Sequence, residues 1–399
     1  MAMLQAGAAC VEIPVPADLP LIGFAARGSA TALGQHDPIT SRALVLRNDE
    51  ASLVLCAVDL LGIGAEMRAD VVERVLVAAA IPGDHIAVSA THTESAPGCI
   101  FRGPIEAFFG TFRADFYEDV VDSIARSILD AHDRMRPARL GIGSIRIEGL
   151  TQNSRHPELG PCDDEVGILR VVDLKGDAIA LVSVCCAHNT ALDHHNMRVS
   201  ADVGGVFCRT VEGRLGLGSV GIFFAGEQGD LGFRRSRFPG LAGFELAEAI
   251  GADLSERVLD AQSRIALDAR PRLAVAVERF EPPPPTVPIS TEPILMQAMI
   301  LGDSGWLIVP GEPIAEIGLG FKRHMRESGL GHAHVIALAN DQLGYVLTPE
   351  EFRAGGYQPT VSFFGETFGD VFSAAAIRTF ERAHHQRPTR RVPSGPSVG

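Results

Sequence analysis

The chain has 399 residues, 46% of them hydrophobic, and a formal net charge of -14. This composition excludes a disordered chain, and the acidic balance argues against nucleic-acid binding and membrane insertion, since nucleic acids and anionic membranes both attract basic surfaces. The seven cysteines are scattered, mostly among apolar residues, and neither a signal peptide nor a membrane-length apolar run is found. We therefore expect a cytoplasmic protein that acts on a small molecule, and leave open whether it forms a homo-oligomer.

Predicted strands and helices alternate along most of the chain. The apolar runs 43–46 and 52–58 predict a hairpin, and 65–80 has the apolar spacing of a helix. Pro282 to Pro285 predict a stiff spacer that begins a second half of the protein, and residues 386–399 a disordered tail. Later strands are predicted at 139–147, 166–172, 178–186, 219–225, 306–309 and 335–339, and later helices at 115–132, 202–215, 241–265, 314–328 and 368–385.

A polar stretch follows the apolar run 85–88, which predicts a buried strand. It contains His92 and Glu94 and ends in the Pro97-Gly98 turn. Polar side chains just beyond the end of an internal strand are typical of a binding crevice in an α/β protein. An ordinary polar cluster at a strand end is the alternative interpretation.

Three further strand ends carry groups that could bind a metal ion. His188 follows the strand predicted at 178–186, Glu312 follows the strand at 306–309, and Tyr345 lies in the loop after the strand at 335–339. Two imidazoles, a carboxylate and an open position suit a catalytic zinc ion, which must keep room for water or substrate. The spacing is dispersed and has no local signature.

The segment Ala-Thr-His-Thr-Glu-Ser-Ala-Pro-Gly at 90–98 resembles Thr-His-Thr-His-Ser-Gly-Pro-Gly of the neutral ceramidase family. Similar motifs of that family match Ala187-His188 with the downstream Ser200-Ala201-Asp202, Pro310-Gly311-Glu312, residues 344–351, and the loop 153–157. The resemblance runs from Ala6 to about Phe372, and the immunoglobulin-like domain of the family has no counterpart in the sequence. It implies an α/β fold of layered mixed β-sheets flanked by helices, with residues 1–385 as a single catalytic domain.

The resemblance also implies the roles of individual residues. His92, His188 and Glu312 would bind Zn²⁺ together with Tyr345. Tyr357 lies where the family has a second tyrosine, which donates a hydrogen bond to the carbonyl of the bond to be cleaved. The loop 153–157 makes Arg155 a substrate contact.

Two departures from the family pattern bear on the chemistry. Glu94 replaces the second histidine of the first motif, and we interpret it as the general base or, alternatively, as an acceptor that orients a ligand imidazole. Gly226 stands where the family has a serine that handles ceramide, so we expect a different substrate and no acyl-serine step at this position. Asp59 and Asp202 are weaker candidates for orienting groups.

These observations predict a zinc-dependent hydrolase that cleaves an amide or ester bond of a small or moderately apolar acyl compound. A lactonase or esterase using the same site is one alternative, and a metal-binding relative without activity is another. We expect His194 and His195 to be solvent-facing loop residues rather than ligands.

Overall fold

The computed structural model describes residues 2–289 and 292–386, so the predicted tail lies outside the described residues from 387 onward. The strands in chain order are β1 (Gln5–Glu12), β2 (Thr40–Arg47), β3 (Ser52–Val58), β4 (Ile86–Ala90), β5 (Arg136–Arg146), β6 (Thr151–Asn153), β7 (Glu165–Asp173), β8 (Ala178–Cys185), β9 (Val220–Ala225), β10 (Leu231–Phe233), β11 (Leu273–Phe280), β12 (Ile294–Leu301), β13 (Ser304–Ile308), β14 (Glu312–Pro313), β15 (His332–Ile336) and β16 (Tyr345–Val346). The α-helices are α1 (Ala65–Ala79), α2 (Glu106–Phe109), α3 (Ala114–Asp133), α4 (Asp202–Leu215), α5 (Gly243–Gln262), α6 (Ala315–Glu327), α7 (Pro349–Ala354), α8 (Tyr357–Thr360) and α9 (Phe368–His385).

Two mixed sheets form the centre of the fold. The larger sheet has eight strands in the order β4-β3-β2-β1-β5-β7-β8-β9, and the smaller sheet has the order β11-β12-β13-β15. Parallel pairs occur at both outer edges of the larger sheet, between β3 and β4 and between β8 and β9. The other pairs of that sheet are antiparallel.

The layers follow the order helix, sheet, sheet, helix. Helices α1 and α3 pack on one half of the outer face of the larger sheet, and α4 and α5 cover the other half. The two sheets pack face to face through apolar side chains that include Leu44, Val182 and Trp306. Helices α6 and α9 cover the far face of the smaller sheet. Because buried strands contact apolar layers on both faces, their sequences are nearly continuous apolar runs.

The two sheets meet where several strands end. The amide of Ala90 donates to the carbonyl of Leu338 at 3.1 Å, and the amide of Asn340 donates to the carbonyl of Val88 at 2.7 Å. The amide of Ala337 similarly donates to the carbonyl of Ala225 at 2.9 Å. The segments that follow β4, β9 and β15 are therefore brought to one place, and β8 ends beside them because it pairs in parallel with β9.

The predicted α/β class is confirmed, together with the hairpin β2–β3 and the closing helix α9. The role given to Pro282 to Pro285 is wrong, because β11 already belongs to the smaller sheet and the prolines connect it to β12. Because buried apolar side chains join the two sheets, we propose that the chain up to residue 385 forms one domain. In the described part of the chain, no helix has the length and apolar character needed to cross a membrane.

Candidate metal centre

His92 lies two residues beyond β4 in an uncommon backbone conformation. Its φ is +62°, a left-handed value that non-glycine residues adopt only when surrounding contacts fix it. Its amide donates to the carbonyl of Leu60 at 3.0 Å, and its Nδ1 donates to the carbonyl of Leu61 at 2.8 Å. Because Nδ1 carries the proton of the neutral ring, the lone pair is on Nε2, which points away from these carbonyls.

His188 lies three residues beyond β8 and is held in the same way. Its amide donates to the carbonyl of Leu231 at 2.8 Å. Its Nδ1 contacts the carbonyls of Gln228 at 2.8 Å and Leu231 at 3.1 Å. Both histidines therefore present Nε2 toward a common point, with backbone carbonyls fixing the tautomer.

Glu312 and Tyr345 lie side by side because they pair across the short parallel strands β14 and β16. Gln342 donates from Nε2 to Oε1 of Glu312 at 3.3 Å. The second carboxylate oxygen, Oε2, is buried and has no hydrogen-bond partner among the described residues. A buried carboxylate oxygen without a donor requires a cation or a proton to balance its charge.

The distances within this group fit a tetrahedral ion. Oε2 of Glu312 lies 3.4 Å from Nε2 of His92 and 3.4 Å from Nε2 of His188. The hydroxyl of Tyr345 is also 3.4 Å from Nε2 of His188. Ligands that bind a tetrahedral ion at about 2.0–2.1 Å are separated by about 3.4 Å, so these three separations are compatible with an ion of that size.

The charges in the group are strongly coupled. Burial alone would lower the pKa of His188, but the nearby carboxylate of Glu312 outweighs it and raises the pKa to about 9. Burial likewise acts to raise the pKa of Glu312, yet the two histidines hold it below its ordinary value. The pKa of His92 is lowered by burial, and that of Tyr345 is raised well above its ordinary value by burial. Positive charge is therefore favoured beside Glu312, where a metal ion can replace the proton of His188.

Glu94 faces the candidate metal centre without orienting a ligand. The Nδ1 atoms of His92 and His188 are already bonded to backbone carbonyls, so the interpretation of Glu94 as an orienting acceptor is wrong. Its side chain packs against Gly23, where an added Cβ would lie 2.5 Å from a carboxylate oxygen of Glu94. Burial raises the pKa of Glu94 to about 7. The interpretation as a general base remains.

Asp59 and Asp202 support the backbone around the two histidines rather than their rings. Asp59 accepts hydrogen bonds from the amide and hydroxyl of Thr40 and from the hydroxyl of Thr91, the residue before His92. Asp202 accepts from the amides of residues 191, 192 and 203, and so fixes the loop after His188. The two carboxylates thus fix the backbone of the loops that contain His92 and His188 and do not contact the imidazole rings.

Tyr357 lies beside Tyr345, and Arg155 contacts the segment that contains Tyr357. Tyr357 is 62% exposed, and its ring centroid is 5.9 Å from that of Tyr345. The guanidinium of Arg155 donates to Glu351 Oε2 at 2.6 Å, to the carbonyls of Glu351 and Gly355 at 2.7 and 2.9 Å, and to Gln358 Oε1 at 3.0 Å. These contacts support a positioning role for Arg155, which fixes the segment before Tyr357, and direct contact with substrate remains a prediction.

Two cavities meet at the candidate metal centre. One, which we call the first cavity, has a volume of about 690 Å³, and its apolar lining includes Leu19, Leu21, Ile22, Phe109, Val361 and Phe363. The other, the second cavity, has a volume of about 830 Å³, and its polar lining includes Ser154, Arg155, His156, His188, Thr190 and Gln358. Residues common to both are Gly23, Phe24, Ala25, Glu94, Tyr345 and Tyr357.

Sequence analysis missed two residues that shape this site. Arg27 is buried and donates to the carbonyls of Ile22, Glu94 and Asp193. It therefore connects the segment 22–27, part of which lines both cavities, to the loops that contain Glu94 and Asp193. Gln342 orients Glu312, as described above. The polar run at 340–342, directly after a buried strand, was the available signal for Gln342. No comparable signal marks Arg27, which ends a short 3₁₀ helix, Ala25–Arg27.

Comparison with known proteins identifies the family of this chain. The family model described as neutral/alkaline non-lysosomal ceramidase, N-terminal, matches residues 6–221, more than half of the chain. The chain belongs to this ceramidase family. The matched region contains His92, Glu94 and His188, whereas Glu312, Tyr345 and Tyr357 lie outside it.

Individual ceramidases share about a quarter of the aligned residues. The neutral ceramidase of Pseudomonas aeruginosa is 27% identical over 207 residues, which are 47% of this chain and 30% of that protein. Neutral ceramidase A of Dictyostelium discoideum is 24% identical over 250 residues, 55% of this chain and 34% of that protein. The matched region thus covers about a third of the length of these curated relatives.

Solved ceramidase structures share the fold over almost the entire chain. A structure described as ceramidase complexed with C2 has a TM-score of 0.86 and 18% identity, and the match covers 98% of this chain and 77% of that one. The crystal structure of the Pseudomonas aeruginosa neutral ceramidase has a TM-score of 0.84 and 19% identity, with coverage of 96% and 75%. At this identity the likeness establishes the fold, including the arrangement of both sheets.

Gly226, which the motif comparison predicts at the position of a family serine, has little room for a side chain. A Cβ added at Gly226 would lie 2.7 Å from Sγ of Cys186, so a serine there would require the surroundings to move. Next to it is a buried ionic cluster formed by Lys322 with Asp163 and Glu227, at 2.7 and 2.9 Å. The Lys322 ammonium already supplies the positive charge of this cluster, which therefore differs from the candidate metal centre.

Proposed function

We propose that this chain is a zinc-dependent hydrolase that cleaves an amide or ester bond of a small or moderately apolar acyl compound other than ceramide. The observation that carries the proposal is the group formed by His92, His188, Glu312 and Tyr345, with three separations of 3.4 Å at the junction of two cavities. The exclusion of ceramide is supported by Gly226, which stands where the family motif has a serine and where an added Cβ would lie 2.7 Å from Sγ of Cys186.

The four ligand residues would hold Zn²⁺, which when bound supplies Lewis acidity and lowers the pKa of a coordinated water toward about 7. Glu94 would accept the proton of the attacking water and pass it to the leaving amine or alcohol. Tyr357 would donate a hydrogen bond to the carbonyl oxygen as negative charge develops on it. Arg155 would keep Tyr357 in place through its bonds to residues 351–358.

The cavities suggest how a substrate would be oriented. An acyl group would fit the first cavity against side chains such as Leu21 and Phe363, and the polar part of the leaving group would fit the second cavity beside Ser154 and Gln358. The scissile carbonyl would then lie between Glu94 and Tyr357, which line both cavities. A panel of N-acyl amides, esters and lactones, with ceramide included, tests this assignment; hydrolysis of ceramide in preference to the others would contradict it.

Replacing Glu94 by glutamine should lower kcat by about a hundredfold to ten-thousandfold, because the amide cannot accept the proton of the attacking water. Zinc content should be unchanged, since Glu94 bonds to neither ligand imidazole. Steady-state kinetics and metal analysis of the same preparation measure both effects. Glu350→Gln, a change at an exposed carboxylate, is the control and should behave as wild type. Full activity of Glu94→Gln would rule out the role as base.

Replacing Tyr357 by phenylalanine removes only a hydroxyl from the exposed side of the centre. The expected loss in kcat is about a hundredfold to a thousandfold, the usual effect of deleting one oxyanion donor, with metal content retained. Tyr117→Phe is a matched control, because the Tyr117 hydroxyl donates to Asp70 on α1, away from both cavities. A change in KM with kcat unchanged would instead assign Tyr357 to substrate binding.

A further inference from the structure

A second group of metal-binding side chains lies on the loop after His188. Asp193, His194 and His195 each offer a ligand atom, and these atoms all lie within 4.8 Å of one another. The imidazole rings of His194 and His195 have centroids 4.0 Å apart. We propose that this group, the 193–195 cluster, binds a second divalent transition-metal ion, separate from the catalytic one.

The ring nitrogens of the cluster are free to bind an ion. Within the described ranges, neither His194 nor His195 uses a ring nitrogen in a hydrogen bond or an ion pair. By contrast, the ring of His36 contacts the carboxylate of Asp37, and that of His156 contacts the carboxylate of Glu351. The carboxylate of Asp193 bonds only to the amide of His195, at 2.9 Å through Oδ1, so lone pairs remain on both oxygens.

The type of ligand selects the class of ion. Two imidazoles and one carboxylate favour Zn²⁺, Cu²⁺ or Ni²⁺, whereas Ca²⁺ and Mg²⁺ require more oxygen ligands. Both rings are exposed, so water would complete the coordination. The 193–195 cluster should therefore bind more weakly than the buried centre and exchange its ion faster.

The cluster adjoins the wall that separates the two cavities. The carbonyl of Asp193 accepts from Arg27 at 2.9 Å, and Arg27 also donates to the carbonyl of Glu94. The ring of His194 lies 6.4 Å from that of Phe24, which lines both cavities. An ion bound here would lie beside the active site without sharing any of its ligands.

Metal titration of the complete chain tests this proposal. Equilibrium dialysis against increasing Zn²⁺, followed by elemental analysis, should give two equivalents for the wild type. The double variant His194→Ala/His195→Ala should lose the weaker equivalent, with at least a tenfold decrease in its affinity. The control His384→Ala/His385→Ala changes another adjacent histidine pair, on α9, and should retain both equivalents.

A spectroscopic readout identifies the ligands directly. With Cu²⁺ as the probe, the electron paramagnetic resonance spectrum of the weaker equivalent should show coupling to imidazole nitrogens, which the double variant loses. His188→Ala should keep this signal, which separates the proposal from the function proposed for the main centre. A single equivalent in the wild type, or two in the double variant, would overturn the assignment.

Discussion

Replacing His188 by alanine should abolish zinc binding at the main centre and lower kcat/KM by about a thousandfold or more. A bound ion contributes several kcal/mol to transition-state stabilisation, and each 1.4 kcal/mol or so corresponds to a tenfold change in rate. The variant leaves only His92, Glu312 and Tyr345 as ligands, and it removes one of the two histidines that hold the pKa of Glu312 down, so a proton competes better with the ion for this carboxylate.

Metal content, activity and circular dichroism should be measured on the same His188→Ala preparation, so that misfolding is separated from loss of metal. His132→Ala, at the end of α3, is the matched control and should keep both metal and activity. Wild-type activity in His188→Ala would contradict the metal-dependent mechanism.

The largest effect on stability is expected for Lys322→Met. The Lys322 side chain is 2% exposed and forms ion pairs with Asp163 at 2.7 Å and Glu227 at 2.9 Å, and both carboxylates are equally buried. Removal of one partner of a buried ionic group typically costs about 3–5 kcal/mol, because the remaining charges are left without compensation. Denaturant unfolding measures the loss. Lys175→Met, at the other lysine of the chain and in an exposed turn, should be neutral.

The loss in Lys322→Met should depend on pH in a defined direction. Burial, with Asp163 nearby, already raises the pKa of Glu227 to about 7 in the wild type, against an ordinary value of 4.5. The folded state therefore binds a proton more tightly than the unfolded state, and stability falls as pH rises from about 4.5 to 7. Without Lys322, which lowers the pKa of Glu227, this fall should be larger. The free energy of unfolding of the variant should therefore be closer to that of the wild type at pH 5 than at pH 8. An equal loss at both values would contradict the assigned charges.

The sequence allowed us to predict which residues form the candidate metal centre more easily than how they are arranged in space. His92, His188 and Glu312 each follow an apolar strand, and the family motifs grouped them with Tyr345. Their spacing depends on pairings between distant segments, such as Glu312 opposite Tyr345 in β14 and β16, which no local pattern contains. The left-handed φ of His92 is likewise imposed by contacts with residues 60 and 61.

The local sequence around Lys322 and Glu94 did not predict the contacts that these residues make in the structure. Lys322 lies in a helix with alternating charged and apolar residues, where a lysine is expected at the surface, and its partners come from three distant segments. Glu94 could orient a ligand imidazole only if its carboxylate accepted a hydrogen bond from Nδ1 of His92 or His188, whereas the role of general base does not require this bond. Backbone carbonyls from residues 61, 228 and 231 decided that question, and their approach depends on tertiary structure.

The most direct measurement is a zinc titration of metal-stripped protein, with hydrolysis of the best substrate followed at each point. Stripped protein should be inactive, and activity should rise in proportion to added zinc and reach its maximum at one equivalent, before any weaker site fills. Retention of full activity in protein shown by elemental analysis to contain no metal would contradict a mechanism that depends on His92, His188, Glu312 and Tyr345 as ligands.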